Sequence, residues 1–342
     1  METAYVYHPI YLEHNQPGHP ENARRLERIL EVLEERGLRD RLPLLEPRPA
    51  TEEELLRVHT ERHLQRVREV AERGGGYLDP DTYVSPRSYE AALMAAGGVV
   101  QAVDDVLKGE VGNAFALVRP PGHHAKRERA MGFCLLNNVA IAARAALTHD
   151  GIERVFIADF DVHHGNGTAS IFDSDPNVFF FSTHQYPYYP GTGAKAEVGT
   201  GAGAGTTLNV PLPTNVGDEG YGRIYEALVR PLNTRFNPDL MLVSAGYDGH
   251  WNDPLAHMAL SLSGYARMAR ALVDMANELC EGRIVFTLEG GYRLDALAYG
   301  VLNAFYALLG EETTVDPLGP SPRPERPIDD LIEDLKDLHQ LE

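Results

Sequence analysis

Five short apolar runs punctuate this chain of 342 residues: Ala114–Val118, Val155–Ala158, Val178–Phe181, Leu240–Val243 and Ile284–Leu288. Each has the length of a buried strand, and helix-like stretches lie between several of them, such as Asn138–Leu147, Tyr221–Leu232 and Ser263–Leu279. Alternating strands and helices predict an α/β fold, a central and mostly parallel sheet flanked by helices on both faces. Residues 20–37 read as an amphipathic helix, with Pro20 in the first turn, Leu26, Ile29, Leu30 and Leu33 as the apolar stripe, and Gly37 at the end. A second helix is expected over Ser88–Leu107, where Gly97-Gly98 suggests close packing against a neighbour. The tail after Gly310 is rich in proline and acid, with a short helix expected within Asp329–Leu341. Gly199–Gly205 lacks the lysine and the strand–turn–helix setting of a phosphate loop and reads as a plain loop. No repeat or clean linker divides the chain, so one domain is expected over 1–342, with its core at about 5–310 and a tail at 311–342.

The residues after the apolar runs carry the chemistry. They are Arg119-Pro120-Pro121-Gly122-His123-His124, then Asp159-Phe160-Asp161-Val162-His163, then Ser182-Thr183-His184, then Ser244-Ala245-Gly246-Tyr247-Asp248, and last Glu289-Gly290-Gly291-Tyr292. Ligands of open parallel sheets bind outside the carboxyl ends of the strands, so five such ends point to one crevice. Clustered carboxylates and imidazoles are costly there unless something satisfies them, and a metal ion would. Asp161 and His163 lie two apart, which in extended backbone aims both at one face and turns His164 away. With Asp248 they supply the three ligands of a hydrolytic zinc site, whose ion brings the pKa of water towards ~7. The tandem His123-His124 suits proton transfer at an acyl carbon. A carboxylate, Asp159, behind one ring and an amide, Asn166, behind the other would split their pKa values. Tyr292, after two glycines, suits donation of a hydrogen bond to a developing oxyanion. His14, His59 and His149 stand outside these groups and read as structural.

Composition excludes several classes. A chain 43% hydrophobic and 24% charged affords a sizeable core and is not disordered. A net charge of −19 with no basic tract argues against nucleic-acid binding and would draw in a cationic substrate. Two cysteines, Cys134 and Cys280, make no disulfide framework. The start, Met1-Glu2-Thr3-Ala4, has no basic segment followed by an apolar one, and no run reaches the roughly 18 apolar residues of a membrane span. The expectation is a cytoplasmic protein without membrane partners; a homo-oligomer is compatible with it.

Taken in order, these segments resemble the histone deacetylase superfamily, which includes acetoin-utilisation proteins and acetylpolyamine amidohydrolases. The resemblance runs from His19-Pro20-Glu21 to Glu289-Gly290-Gly291-Tyr292 and includes Gly132-Phe133-Cys134, His164-Gly165-Asn166-Gly167-Thr168, Tyr189-Pro190-Gly191-Thr192-Gly193 and Asp253-Pro254. Pro121-Gly122-His123-His124 and Asn166 are similar to the class II branch. The resemblance implies an arginase–deacetylase fold and zinc-dependent amide hydrolysis, with Asp161, His163 and Asp248 on zinc, His124 as general base and acid, and His123 assisting electrostatically. Tyr292 would polarise the scissile carbonyl, and Phe133 and Tyr189, where the family usually has phenylalanine, would wall a channel for the acyl-lysine stem. Gly132 and Asp81 would hold substrate at the rim, and Arg25 and Cys134 would line an internal cavity for the acetate product. Potassium would lie on Asp159, Asp161, His163, Ser182 and Thr183, and a second potassium on Phe172, Asp175 and Val178. Polyamine-selective relatives carry an acid just after the Asp-Pro step; Leu255 stands there, which favours an acyl-lysine protein or peptide over a small acetylated amine. The competing readings are an acetylpolyamine amidohydrolase, a two-manganese ureohydrolase, disfavoured because Gly165 and His250 replace the acids a second metal needs, and a non-catalytic acyl-group binder.

Overall fold

The structure is a computed structural model that describes residues 2–342. The strands are β1 (Thr3–Val6), β2 (Leu44–Leu45), β3 (Gly76–Tyr77), β4 (Tyr83–Val84), β5 (Asn113–Ala116), β6 (Val155–Asp159), β7 (Val178–Gln185), β8 (Thr207–Leu212), β9 (Leu240–Ala245) and β10 (Ile284–Leu288). Eight of them form one parallel sheet in the order β2-β1-β5-β10-β9-β6-β7-β8, and β3 and β4 pair separately as a small antiparallel ribbon. The helices are α1 (Arg24–Glu35), α2 (Glu52–Leu56), α3 (Glu61–Glu72), α4 (Ser88–Leu107), α5 (Asn138–Ala146), α6 (Asn166–Phe172), α7 (Asp218–Ile224), α8 (Arg230–Phe236), α9 (Leu262–Leu279), α10 (Leu294–Leu308) and α11 (Asp329–His339).

The central strands are buried at every position, as continuous apolar runs between two helical layers must be. Helix starts follow local chemistry. Thr51 and Glu54 form a reciprocal capping box on α2, and the Asn137 and Ser261 side chains accept the N–H groups of Ala140 and Gly264 to open α5 and α9. The glycine pair of α4 behaves as expected: a methyl group on Gly97 would run into the backbone of Arg48 and Ala50.

Several boundaries differ from expectation. α1 begins at Arg24 rather than at Pro20, because the Asn22 carboxamide accepts the Arg24 N–H at 3.0 Å and Glu21 turns inward onto Arg25 and Arg119. Strand β5 stops at Ala116, and β7 runs on through Ser182, Thr183 and His184 to Gln185. Three of those polar side chains are partnered within the fold, Ser182 with His184 Nδ1 at 3.0 Å and Gln185 Oε1 with the His257 N–H at 2.8 Å. The helix expected at Tyr221–Leu232 spans Asp218–Phe236 and contains a π turn at Tyr225–Val229. Gly199–Gly205 is a loop with one 3₁₀ turn at Gly201–Gly203. Among the described residues no helix is long and apolar enough to cross a membrane.

Sheet order matters most for function. Neighbouring strands β9 and β6 lead onward in opposite directions, β6 to β7 on one side and β9 to β10 on the other, and at such a switch point a crevice opens at the carboxyl ends. The ends of β5, β10, β9, β6 and β7 are neighbours around it.

Candidate active site

A pocket of ≈ 270 Å³ lies at these strand ends, lined by His123, His124, Asp161, His163 and Tyr292 together with Asp81, Gly132, Phe133, Cys134, Tyr189 and Leu255. Strand β6 ends at Asp159, and the chain then turns in steps. The Asp161 N–H donates to Asp159 Oδ1 at 3.1 Å, and the His163 N–H donates to Asp161 Oδ1 at 2.9 Å. Strand alternation is therefore not what unites Asp161 and His163; a side-chain-capped turn does. His164 does face away, with Nδ1 2.8 Å from Thr192 Oγ1.

Asp248 enters from the end of β9, which neighbours β6. His163 Nδ1 lies 3.2 Å from Asp161 Oδ1 and 3.1 Å from Asp248 Oδ2, and the three ligand atoms lie within 4.8 Å of one another. Methyl groups on Gly246 or Gly290 would collide with these carboxylates, so two glycines leave room for the cluster. Burial opposes a charge on His163, yet its hydrogen bonds to Asp161 and Asp248 hold its pKa well above the usual imidazole range. Burial and the neighbouring Asp161 raise Asp248. Two buried carboxylates thus gather positive charge between them, and a divalent cation fits this donor set of one imidazole and two carboxylates.

The histidine pair stands beside the trio. His123 Nδ1–H donates to Asp159 Oδ2 at 2.9 Å, and His124 Nδ1–H donates to Asn166 Oδ1 at 2.8 Å. For His123, burial is outweighed by Asp159 and Asp161, and its pKa is pushed up to about 10. For His124, burial and the positive charges of His123 and His163 drive the pKa well below the usual value. The two rings, 4.0 Å apart between centroids, therefore hold different protonation states.

Phe133 adopts a left-handed backbone, φ 69, rare for an aromatic residue, and follows Gly132, where a Cβ would strike the His124 ring. The turn swings Phe133 into the pocket, edge-on to Tyr292 at 5.9 Å. Tyr189 closes the opposite wall, edge-on to His124 at 5.2 Å, and is 38% exposed at the mouth, where Asp81 is also exposed. Asp159 and Ser182 are register partners across β6 and β7 and share one face beneath the site, and Thr183 follows. Phe172, Asp175 and Val178 gather where α6 leads into β7, beside the Arg144 guanidinium, which lies 4.6 Å over the Phe172 ring and pairs with Asp175.

Arg25 sits behind Tyr292. It is fully buried but consumed: its Nε–H donates to the Gly291 carbonyl at 2.7 Å, Nη1 reaches Glu21 at 3.1 Å and Nη2 reaches the Glu289 carbonyl. Its guanidinium sits 5.2 Å from the Tyr292 ring centroid and braces the Tyr292 turn, and Cys134 lies in the pocket wall. Three further side chains hold the site together, in roles the sequence does not assign. Glu289 accepts the Gly122 and His123 N–H groups at 2.7 and 3.2 Å. Asp253 Oδ2 accepts those of Tyr292 and Arg293 at 2.7 and 3.0 Å. Tyr188 stacks on His163 at 5.8 Å and donates to the Leu255 carbonyl at 3.1 Å. For Glu289 the signal was an acid beside a glycine at a strand end and for Asp253 an acid before a proline in a loop; Tyr188 had none beyond its neighbour Tyr189.

A crevice of this build, at the switch point of a parallel sheet and holding a ligand trio beside paired histidines, carries the groups that hydrolysis needs. Comparison with known proteins agrees: residues 19–308 match the histone deacetylase domain, and the chain belongs to the histone deacetylase family of hydrolases. It is 45% identical to a probable deacetylase of Archaeoglobus fulgidus, over 91% of this chain and 87% of that protein. It is 40% identical to a histone deacetylase-like amidohydrolase of Pseudomonas aeruginosa, over 87% of this chain and 78% of that protein. The crystal structure of the HDA15 HD domain superposes with a TM-score of 0.90 at 37% identity, covering 99% of this chain and 94% of that one.

Proposed function

We propose that this chain is a zinc-dependent deacylase that hydrolyses acyl-lysine side chains. The observation that carries the reading is the Asp161–His163–Asp248 trio set against two histidines with unlike partners, Asp159 and Asn166. Asp161, His163 and Asp248 would hold the ion, which supplies Lewis acidity that acidifies water and polarises a carbonyl. His124, neutral and held through Nδ1 by Asn166, takes the water's proton at Nε2 and returns it to the departing amine. His123, kept protonated by Asp159, offsets negative charge gathering at the acyl carbon. The Tyr292 hydroxyl donates to the carbonyl oxygen, its ring fixed by Phe133 and Arg25. Phe133, Tyr189 and Leu255 exclude water from the lysine stem, with Gly132 and Asp81 at the rim. A potassium ion on Asp159, Asp161, His163, Ser182 and Thr183 would offset the carboxylates below, and the Phe172, Asp175 and Val178 carbonyls would face the outer one.

Leu255 in the pocket wall favours acyl-lysine over acetylpolyamine, since an apolar side chain offers a second ammonium nothing. At Gly165, a methyl group would collide with Asp159, and His250 is buried, so neither position brings a carboxylate for a second catalytic metal. The test is turnover of acetyl-lysine peptides and acetylspermidine at equal concentration, with and without chelator and with zinc restored. Turnover that survives complete chelation would refute the metal role, and a preference for acetylspermidine would refute the substrate class.

A further inference from the structure

The matched family segment ends at residue 308, yet the chain past it returns to the loop that follows Asp248. Asp316 anchors this returning strap: Oδ2 accepts the Ser263 N–H at 3.2 Å and Oδ1 accepts the Gly319 N–H at 2.8 Å. The Gly319 carbonyl then accepts the Trp251 Nε1–H at 2.9 Å, and Arg323 Nη2 donates to the Trp251 carbonyl at 2.7 Å. One residue is thus gripped by both its ring and its backbone. A second grip follows, where the Arg326 N–H donates to the Asn215 carbonyl at 2.8 Å and the Asn215 N–H donates to the His257 carbonyl at 2.8 Å. Strap residues 319–326 therefore hold both ends of the loop 251–257.

That loop carries the supports of the pocket. Trp251 stands three residues after Asp248 and two before Asp253, the carboxylate that accepts the Tyr292 and Arg293 N–H groups at 2.7 and 3.0 Å. Leu255 lines the pocket wall and ties to Tyr188. Asp253 is buried and shares its carboxylate among three N–H groups, the third being Leu255 at 2.9 Å. A small shift of the loop therefore moves the Tyr292 backbone and the wall together. We propose that Trp251 and Arg323 are positioning residues for the reaction, through which the C-terminal strap sets the placement of Tyr292 by way of Asp253.

The strap's effect on turnover rests on the deacylase reading; its effect on the loop does not. The experiment uses full-length Trp251→Phe and Arg323→Ala, each of which removes one grip and leaves the pocket lining intact. Arg270→Ala serves as control, since it frees the strap only at Glu312 and Thr314, away from the loop. Hydrogen–deuterium exchange should accelerate about tenfold or more at 249–259 and at the Tyr292 and Arg293 amides in both test variants, and in neither place in the control. With acetyl-lysine peptide, kcat should fall about tenfold while KM stays within about twofold, because misplaced groups act on the transition state. Unchanged exchange in both test variants overturns the proposal, and so does faster exchange with unchanged kcat. If the wild-type protein shows no turnover, the deacylase reading fails, and the exchange result alone decides whether the strap holds the loop.

Discussion

At the residue scale, identical side chains diverge because their partners differ. His123 and His124 are adjacent, yet one faces a buried carboxylate and the other an amide oxygen. The sign of the difference gives a pH prediction. Asn166→Asp places a carboxylate behind His124, which favours the imidazolium and raises its pKa. A general base must be unprotonated, so the acidic limb of kcat/KM should move to higher pH by roughly one unit or more, read from a pH–rate profile. A limb that stays in place would show that His124 is not the base. Tyr292→Phe removes only the hydroxyl, and kcat on acetyl-lysine peptide should drop by about 10²–10³ with zinc content unchanged by metal analysis. The sequence singles out His124 and Tyr292 by their place after apolar runs, and both line the pocket. The partners of Arg25 have no such local signal. Its role depends on Glu21, Glu289 and Gly291, which a linear pattern does not place beside it.

At the element scale, strand cores were legible from their apolar runs, and each exception has its own cause. Edge strand β8 contains Pro211 and polar positions, since an edge tolerates both, and so carries no clean run. Helix α10 is buried nearly all round between α1 and α9, and a helix without a polar face has no 3.6-residue period to read. Strand β7 outran its apolar stretch because Ser182, His184 and Gln185 found partners inside the fold. Close packing at α4 was legible from Gly97-Gly98, and it gives a prediction. Gly97→Ala puts a methyl group into the Arg48–Ala50 backbone, which cannot move as a flexible side chain would. The cost should be about 1–3 kcal/mol by urea denaturation, seen as a lower midpoint at constant slope. An unchanged midpoint would mean that the segment at Arg48–Ala50 yields freely.

At the scale of the whole molecule, the sheet order β10-β9-β6 brings Glu289, Asp248 and Asp159 to neighbouring strand ends, and with them a concentration of buried negative charge. An ion bound only by the folded chain stabilises it by mass action, about 4 kcal/mol at a thousand times its dissociation constant. Chelation should therefore lower the melting temperature by several degrees, with zinc restoring it; equal melting curves would refute a tightly held ion. The order of amino acids alone carried the α/β class, the strand cores and the residue types at the strand ends. It could do so because burial and side-chain periodicity are local properties of the chain. Packing settled which acid faces which imidazole, that a capped turn rather than strand alternation joins Asp161 to His163, that Arg25 braces Tyr292, and that the tail returns to Trp251. Those are contacts between segments distant in sequence, fixed by strand order and packing, and no local pattern encodes them.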